Sequence, residues 1–277
     1  MLSLRCTVRG CEGALTLSGS ILRCPRGHAF DRSREGYWNL LQPQDRRSRR
    51  AGDRDDAVEA RRRWLARGFA DGLIQAIAAA IDGLLPPASA TAIDVGCGEG
   101  SLTARLLGPR AENGCGVDLS MKAIRLAAKT SPALTWIVAN ADRGLPFADG
   151  TVGLALSIFG RRPVAELRRI LAGRGSLIVA VPAEDDLLEL RAASQGEGIR
   201  RDRVGGALAE LTGPFELVAR SAWRERVRHD RRAWEDALSM SYRGERGRER
   251  ERLQGVGELE VTLAADILVL VPRGGLG

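Results

Sequence analysis

The chain has 277 residues, of which 44% are hydrophobic, and a formal net charge of +7. This length favours one main domain with a small appendage. No apolar run approaches the roughly 20 residues that cross a bilayer, and segment 1–10 lacks the apolar stretch of a secretory signal, so we expect a cytoplasmic protein. The basic charge suits an anionic partner, although solubility alone would account for it.

Residues 1–40 are expected to form a small metal-binding module. They contain three of the five cysteines and one of the two histidines, among short apolar runs typical of small strands. Cys6, Cys11, Cys24 and His28 are spaced C-x4-C and C-x3-H, and two such knuckles separated by a hairpin supply a tetrahedral zinc site. The alternative, buried thiols beside a surface imidazole, leaves this short segment with little to hold it folded. We therefore predict a structural zinc ion.

Residues 41–72 read as a charged linker that runs into a helix. The arginines from Arg46 to Arg67, and a second group from Arg220 to Arg232, are suited to tracking an RNA backbone. For the first group, a solvated helix whose arginines are offset by nearby acids explains the pattern equally well. His229 lies within the second group with no cysteine nearby, so we expect it to be solvated or to face RNA.

From residue 73 onward, predicted helices alternate with short apolar strands. The predicted elements, in chain order, are helix 73–85, strand 90–97, helix 101–108, strand 115–120, helix 121–129, strands 134–140 and 153–160, helix 164–172 and strand 175–182. An apolar stretch at 215–227, a helix at 231–240 and a strand at 261–272 complete the chain. This alternation predicts an α/β domain with a largely parallel sheet covered on both faces. Cys97 and Cys115 lie in or beside these strands and are expected to pack there.

A glycine-rich turn follows the first strand of this domain in "AIDVGCGEG", residues 92–100. Asp94 is expected near the end of the strand, Gly96 and Gly98 allow the backbone to approach a ligand, and Gly100 opens the helix. The spacing differs from the G-x-G-x-x-G of pyrophosphate sites, which favours a nucleoside without phosphates.

Two later strand ends complete the predicted nucleoside site. Asp118 ends the second strand of the domain, where a carboxylate can accept hydrogen bonds from both ribose hydroxyls. Asn140 or Asp142, after the next strand, are candidates to meet an adenine amino group. Each feature alone is common in α/β proteins, but their order along the chain favours a shared site.

The set "IDVGCGEG", Asp118 and "LPFADG" resembles the class I S-adenosylmethionine-dependent methyltransferases. This resemblance implies a Rossmann-like, mostly parallel seven-stranded sheet with one antiparallel strand near its end, a methyltransferase domain at residues 73–277 and S-adenosylmethionine as cofactor. The cofactor-binding residues it suggests, together with the nucleoside pattern, are Asp94, Gly96, Gly98, Glu99, Asp118, Asn140 and Asp186.

The first part of the chain carries a more specific likeness. Its Cys/Cys/Cys/His set, "GHAFDRSREGYWNLL" and "RRSRRAGDRDDAVEARRRWLARG" are similar to the bacterial large-subunit ribosomal RNA guanine-N1 methyltransferases, which join a small zinc-ribbon-like module to a methyltransferase domain. The resemblance implies that the module recognises RNA and that a methyl group goes to N1 of a guanine in a hairpin loop of 23S ribosomal RNA. It also implies a homodimer.

The catalytic residues are not apparent from the sequence. Asp186 stands in "PAEDDLLEL" where the family has histidine, and is a candidate base, although an N-cap of the following helix is an equally good interpretation. Arg161 or Arg162, in the loop 158–163, are candidates to hold the guanine O6 atom or a phosphate.

Two other functions are compatible with the sequence. One is a methyltransferase acting on a small molecule, against which the zinc module and the arginine groups argue. The other is an RNA-binding homologue that has lost activity, which three departures from the family pattern keep open: Gly153 in place of aspartate, Asp186, and the segment "ALSMSYRG".

Overall fold

The computed structural model describes residues 2–45, 52–84, 86–87, 89–196, 198–241, 251–253 and 255–274. The strands are β1 (Thr16–Ser18), β2 (Ile21–Arg23), β3 (Ala29–Asp31), β4 (Trp38–Asn39), β5 (Ala92–Val95), β6 (Gly114–Asp118), β7 (Thr135–Val138), β8 (Val152–Ile158), β9 (Leu171–Pro182), β10 (Phe215–Asp230) and β11 (Glu258–Pro272). The helices are α1 (Asp55–Leu65), α2 (Asp71–Leu84), α3 (Ser101–Leu107), α4 (Met121–Thr130), α5 (Val164–Ile170), α6 (Leu188–Gln195), α7 (Arg203–Leu211) and α8 (Arg231–Ser241). A 3₁₀ helix spans Gly108–Asn113.

The large sheet has eight strands in the order β10-β11-β9-β8-β5-β6-β7-β4. Strand β11 runs antiparallel to both of its neighbours, while the other pairings in this sheet are parallel. The seven strands from β5 to β11 confirm the predicted methyltransferase sheet. Because β5 lies between β6 and β8, the strand order reverses at β5, which is where ligands bind in open α/β sheets.

The eighth strand, β4, comes from the N-terminal segment. It pairs in parallel with β7, and the Leu40 amide extends this pairing by donating to the Val138 carbonyl at 2.9 Å. Leu4 and Phe30 of the small segment share a buried cluster with Phe147 of the large domain. The zinc-ligand segment is therefore packed onto the sheet rather than suspended from a linker.

Helices cover both faces of the sheet, as the apolar strands predict. All four residues of β5 are buried, and alternate residues of β8 join opposite clusters, with Leu154 on one face and Ala155 on the other. Helices α2 and α4 contribute to the first cluster, and α5 and α7 to the second. Within the described ranges, no helix combines the length and apolar character needed to cross a membrane.

Candidate active site and zinc centre

The four predicted zinc ligands converge at the base of the β1–β2 hairpin. Their ligand atoms all lie within 4.8 Å of one another. The Cys11 and Cys24 sulfurs are 3.6 Å apart, and the His28 Nδ1 atom lies 3.3 Å from the Cys24 sulfur and 3.5 Å from the Cys6 sulfur. In a tetrahedral site with Zn–S bonds of about 2.3 Å, neighbouring sulfurs are about 3.8 Å apart, so this donor set fits zinc.

Each knuckle contains a glycine in the left-handed region. Gly10 has φ 73° and directly precedes Cys11, and Gly27 has φ 84° and directly precedes His28. A residue with a Cβ atom is strained in this conformation, so the glycines allow each short turn to bring its two ligands together. All four positions are taken by protein side chains, which assigns the centre to structure rather than to catalysis.

Asp118 and the glycine-rich turn form one hydrogen-bonded unit. One carboxylate oxygen accepts the Gly98 N–H at 2.9 Å, and the other accepts the Ser120 N–H at 2.7 Å. Burial raises the pKa of Asp118, and the two N–H donors oppose that shift. A carboxylate offers about four lone-pair sites, so acceptor capacity remains for a ligand.

Gly100 shows why this turn needs glycine. A Cβ atom at this position would lie 2.6 Å from the Cβ of Ala127 and 2.7 Å from the ring of Trp136, and its φ is 86°. The close approach seats the start of α3 against α4 and β7. Glu99 beside it is buried, accepts the Ser101 hydroxyl at 2.7 Å, and has a pKa raised by burial.

Asp94 is buried below the turn with one oxygen unsatisfied. The Thr103 hydroxyl donates to its Oδ2 atom, whereas its Oδ1 atom has no hydrogen-bond partner among the described residues. Burial, reinforced by the charge of Asp118, raises the pKa of Asp94 to about 7 against the Thr103 hydrogen bond. An unpaired buried acceptor is costly, so this oxygen fits a donor group supplied by a ligand such as an ammonium.

Two adjoining clefts open at the carboxyl ends of the strands. The smaller, about 400 Å³, is lined by Asp118, Asn140, Asp142 and Arg161. The larger, about 510 Å³, is lined by Asp94, Glu99 and Asp186 together with apolar side chains. Both clefts share Arg61, Gly96, Ile158 and Phe159. The structure thus brings the predicted cofactor residues other than Gly98 to two clefts that share lining residues. Gly98 lines neither cleft and donates its N–H to Asp118.

Asp186 lies in the larger cleft and does not cap a helix. Helix α6 begins at Leu188, and its N-cap, Leu187, has φ 52° and makes no side-chain capping bond. Asp186 instead accepts the Ala264 N–H at 3.1 Å. Burial raises its pKa to about 6, while that hydrogen bond acts in the opposite direction. The N-cap interpretation is wrong because Leu187 separates Asp186 from the helix.

Comparison with known proteins settles the family. Residues 4–49 match the family model described as RlmA, N-terminal, and residues 92–175 match a methyltransferase-domain model. Over 276 residues the chain is 35% identical to the 23S rRNA (guanine(748)-N(1))-methyltransferase of Streptomyces fradiae, covering 97% of this chain and 96% of that protein. The chain belongs to the 23S rRNA (guanine-N1)-methyltransferase family.

Two further likenesses agree with this assignment. The YxjB protein of Bacillus subtilis strain 168, named provisionally as a 23S rRNA (guanine-N1)-methyltransferase, is 38% identical over 208 residues and 72% of each chain. Among solved structures, the YcgJ protein of Bacillus subtilis has a TM-score of 0.50 at 14% identity, covering 70% of this chain and 97% of that one. At that identity the likeness shows the fold alone. The predicted class I fold and its S-adenosylmethionine dependence are confirmed.

Polar residues around the smaller cleft of this methyltransferase are tied to one another. The Asn140 amide donates to Asp45 at 2.9 Å, and Arg161 donates to Asp142 at 3.1 Å. Arg162 lines neither cleft and donates to Glu210. Of the two arginines considered for the substrate, only Arg161 is at the site.

Phe159 is one of the site residues that sequence reasoning did not single out. It is one of two non-glycine residues with positive φ among those described, with φ 55°, and the residue is 45% exposed at the junction of the clefts. Its amide is fixed by a 3.0 Å hydrogen bond to the Ala180 carbonyl. Such a conformation costs on the order of 1–3 kcal/mol, and strained residues of this kind cluster at functional sites. The segment "IFG" after a strand gave no sign of this strain.

His229 of the methyltransferase is buried, contrary to the prediction that it is solvated or faces RNA. Its exposed fraction is 0%, its Nε2 atom accepts the Trp64 indole N–H at 2.9 Å, and the Phe69 ring stacks on it at a centroid distance of 4.3 Å. Burial lowers its pKa to about 4. The imidazole is neutral and joins α1 to the end of β10.

The two arginine groups are largely paired with acids of the same chain. Arg46, Arg47, Arg49 and Arg50 lie outside the described residues. In the first group, the ion pairs are Arg54–Asp56, Arg61–Asp53, Arg62–Glu59, Arg63–Asp236 and Arg67–Asp230. In the second they are Arg220–Asp266, Arg224–Asp185, Arg226–Glu260, Arg228–Glu258 and Arg231–Glu235. Most of the described arginines in both groups are therefore paired with acids of the same chain.

The other two departures from the family pattern differ in their distance from the clefts. Gly153 is the second residue of β8, at the opposite end from the ligand edge, and a Cβ atom there would lie 2.7 Å from the Cβ of Ala90. Its change from aspartate thus does not alter the site. Of "ALSMSYRG", Ala237 and Met240 line the larger cleft, and the residues from Tyr242 onward lie outside the described residues.

Proposed function

We propose that this methyltransferase transfers the methyl group of S-adenosylmethionine to N1 of a guanine in a hairpin loop of 23S ribosomal RNA. One observation carries the proposal. The segment with the zinc ligands is packed on the same sheet that holds the glycine-rich turn, and this turn follows β5, where the strand order reverses. The Streptomyces fradiae relative, which is named for 23S rRNA guanine-N1 methylation, matches 97% of the chain and so spans both parts.

The donor substrate would lie across the two clefts. In this proposal Asp118 accepts the ribose hydroxyls, Asn140 or Asp142 meets the adenine amino group, and Asp94 accepts the amino group of the methionine part. Gly96 and Gly98 let the backbone approach the ligand, and Glu99 closes the turn. The bound sulfonium supplies an electrophilic methyl group.

The acceptor guanine would approach from the side away from the glycine turn. An in-line displacement needs the attacking nitrogen opposite the leaving sulfur, and positioning supplies most of the rate. The Arg161 side chain is 70% exposed and pairs with Asp142. In this proposal it leaves Asp142 and donates instead to the guanine O6 atom or to a phosphate. A base in a loop is reached at lower cost than one in a helix, which favours loop RNA.

Domain roles follow from the same proposal. Residues 1–40 would recognise RNA, residues 41–72 would connect, and residues 73–277 would carry the methyl transfer. Because the substrate is ribosomal RNA, we expect action in the cytoplasm. The homodimer implied by the family remains a prediction.

The test is incubation of the purified protein with S-adenosylmethionine and unmodified large-subunit ribosomal RNA, followed by nucleoside mass spectrometry. A stoichiometric gain of 1-methylguanosine is expected. Cofactor binding without methylated guanosine would overturn the proposal in favour of another substrate. RNA binding without cofactor binding would instead indicate a homologue that has lost activity.

A further inference from the structure

We propose that Asp186 is the catalytic base that accepts the N1 proton of the target guanine in the larger cleft. This inference rests on the proposed function and adds to it the residue that makes N1 nucleophilic.

The position of Asp186 is fixed by the sheet. It follows the carboxyl end of β9, and the Ala264 amide of β11 donates to its Oδ1 atom at 3.1 Å. No hydrogen bond among the described residues engages its Oδ2 atom, and the side chain is only partly buried at the lining of the cleft. One carboxylate oxygen thus orients the group, and the other is available to a ligand.

The surroundings of Asp186 suit a planar nucleobase with one polar edge. Phe159, Leu187, Trp223 and Leu263 line the same cleft and offer apolar and aromatic surface. A guanine stacked on Phe159 would bury its faces there, because aromatic side chains are the usual platforms for unstacked bases. Its N1–H is a donor on the Watson–Crick edge, and a carboxylate is the matching acceptor.

The acidic side chains of the larger cleft come from two different segments of the chain. Asp94 and Glu99 belong to the glycine turn, where the donor substrate binds, and each already accepts a side-chain hydroxyl. Asp186 enters from the β9–α6 turn. The attacking atom must lie opposite the leaving sulfur, so Asp186 is the carboxylate on the acceptor side.

The electrostatic setting leaves Asp186 ionised yet more basic than an ordinary aspartate. Burial raises its pKa to about 6, assisted by Asp185 and opposed by Arg191, Arg203 and the Ala264 hydrogen bond. A general base is most effective when its pKa lies near the working pH. At neutral pH the carboxylate is therefore charged and ready to take a proton.

The step balances without a further reagent. The N1–H bond of guanine breaks and its proton passes to the Oδ2 atom of Asp186. The electron pair left on N1 forms the new bond to the methyl carbon. The carbon–sulfur bond breaks, its electron pair stays on sulfur, and the positive sulfonium becomes the neutral thioether S-adenosylhomocysteine. Asp186 then returns its proton to water.

The experiment compares Asp186→Asn with Asp186→Glu and with Asp185→Asn as the matched control. Asparagine keeps an oxygen for the Ala264 amide and cannot take the proton. Asp185 is the adjacent acid, paired with Arg224 and not among the residues of the larger cleft. Single-turnover methylation of 23S ribosomal RNA is measured at saturating S-adenosylmethionine from pH 5 to 8.5, with cofactor affinity measured separately by calorimetry.

We expect Asp186→Asn to slow methyl transfer about 100-fold or more with unchanged cofactor affinity, as for loss of a general base. Asp186→Glu should recover part of the rate. Asp185→Asn should keep the wild-type rate at pH 8.5, with its acid limb at a slightly lower pH because the charge of Asp185 helps to raise the pKa of Asp186. The wild-type rate should fall below a pKa of about 6, with this limb absent from Asp186→Asn. Because the cofactor is saturating, an effect of Asp94 protonation on cofactor binding should not appear in that pH profile.

Two results would overturn the assignment while leaving the proposed function standing. One is full activity of Asp186→Asn with an unchanged pH profile. The other is a parallel loss of rate and cofactor affinity, which would make Asp186 a cofactor ligand. A wild-type protein that binds the cofactor and methylates no guanine would instead defeat the proposed function itself.

Discussion

Asp118 links the backbone of the glycine turn to the proposed ribose site with a single carboxylate. Replacing it by alanine removes both the acceptor for the ligand and the partner of the Gly98 N–H. Hydrogen bonds to a charged group contribute about 1.5–3 kcal/mol, so Asp118→Ala should weaken S-adenosylmethionine binding about 10- to 100-fold in calorimetry. Asp149→Ala, at a 69% exposed side chain paired with Arg169, is the control. Equal affinity of the two variants would remove Asp118 from the site.

Phe159 is held in a strained conformation with its ring at the cleft junction, which suggests that the ring itself is needed. Stacking of a base on an aromatic ring is worth about 1–3 kcal/mol, so Phe159→Ala should lower kcat/KM for the RNA about 5- to 100-fold. Phe159→Tyr keeps the platform and should retain most activity. A rate for Phe159→Ala equal to that of the wild type would show that the ring does not contact the base.

At the scale of elements, the zinc centre and strand β4 act together. The sheet β1–β3 has three residues per strand, too little to hold itself folded, and β4 continues directly from it into the large sheet. The four ligands therefore stabilise the edge of the catalytic sheet as well as the module.

Zinc removal should consequently lower the unfolding temperature and reduce RNA methylation more than cofactor affinity. The measurements are metal content, thermal unfolding and methylation before and after a chelator, with restored zinc as the control. An unchanged unfolding temperature in the metal-free protein would contradict a structural role.

The contact of α1 with β10 through His229 predicts a pH dependence of stability. Burial lowers the folded-state pKa to about 4, below the unfolded value of about 6.5. Between these values the unfolded state binds the extra proton, so stability falls as pH drops through this window. Lowering the pH from 7.5 to 5.0 should reduce the free energy of unfolding by about 2 kcal/mol through the titration of His229.

His229→Gln keeps an acceptor for the Trp64 indole and lacks that titration. Urea unfolding of both proteins at the two pH values gives the difference, in which other titrating groups cancel. If the wild type and the variant lose the same free energy of unfolding, His229 is not buried in its neutral form.

These elements also show what the sequence could predict. Strands such as β5 are buried on both faces, so their apolar runs and the loops at their ends were predictable, including Asp118 beside the turn. His229 was not, because it is buried by Trp64, 165 residues away, while its neighbours in sequence are arginines and aspartate. Helix α7 was not predicted because "RVGGALAEL" contains two glycines, and the N-cap interpretation of Asp186 stayed open beside the base because nothing local reveals the left-handed Leu187.

For the whole molecule, net charge is a poor guide to the RNA-binding surface. Most of the described arginines in both sequence groups are paired with acids, whereas Arg201 and Arg203 line the larger cleft and form no ion pair with another described residue. Phosphate contacts weaken binding as salt rises, by an amount that grows with their number. The cleft mouth is thus the better candidate for phosphate binding.

Arg201→Ala should therefore weaken RNA binding and flatten its salt dependence, reducing the slope of log K against log salt by about one phosphate contact. Arg226→Ala is the matched control, since the Arg226 side chain is 62% exposed and paired with Glu260. Binding is measured by filter retention across a salt series. A larger effect of Arg226→Ala would place the RNA on the β10 surface instead.

The most direct test of the central claim is primer extension on 23S ribosomal RNA after reaction with the protein and S-adenosylmethionine. N1 lies on the Watson–Crick edge of guanine, so its methylation blocks base pairing and halts reverse transcriptase. We predict a cofactor-dependent stop at one guanine in a hairpin loop, which is weaker in the Asp118→Ala reaction at a cofactor concentration near the wild-type dissociation constant. Full-length products with no stop, from a protein shown to bind both the cofactor and the RNA, would contradict guanine-N1 methylation as its function.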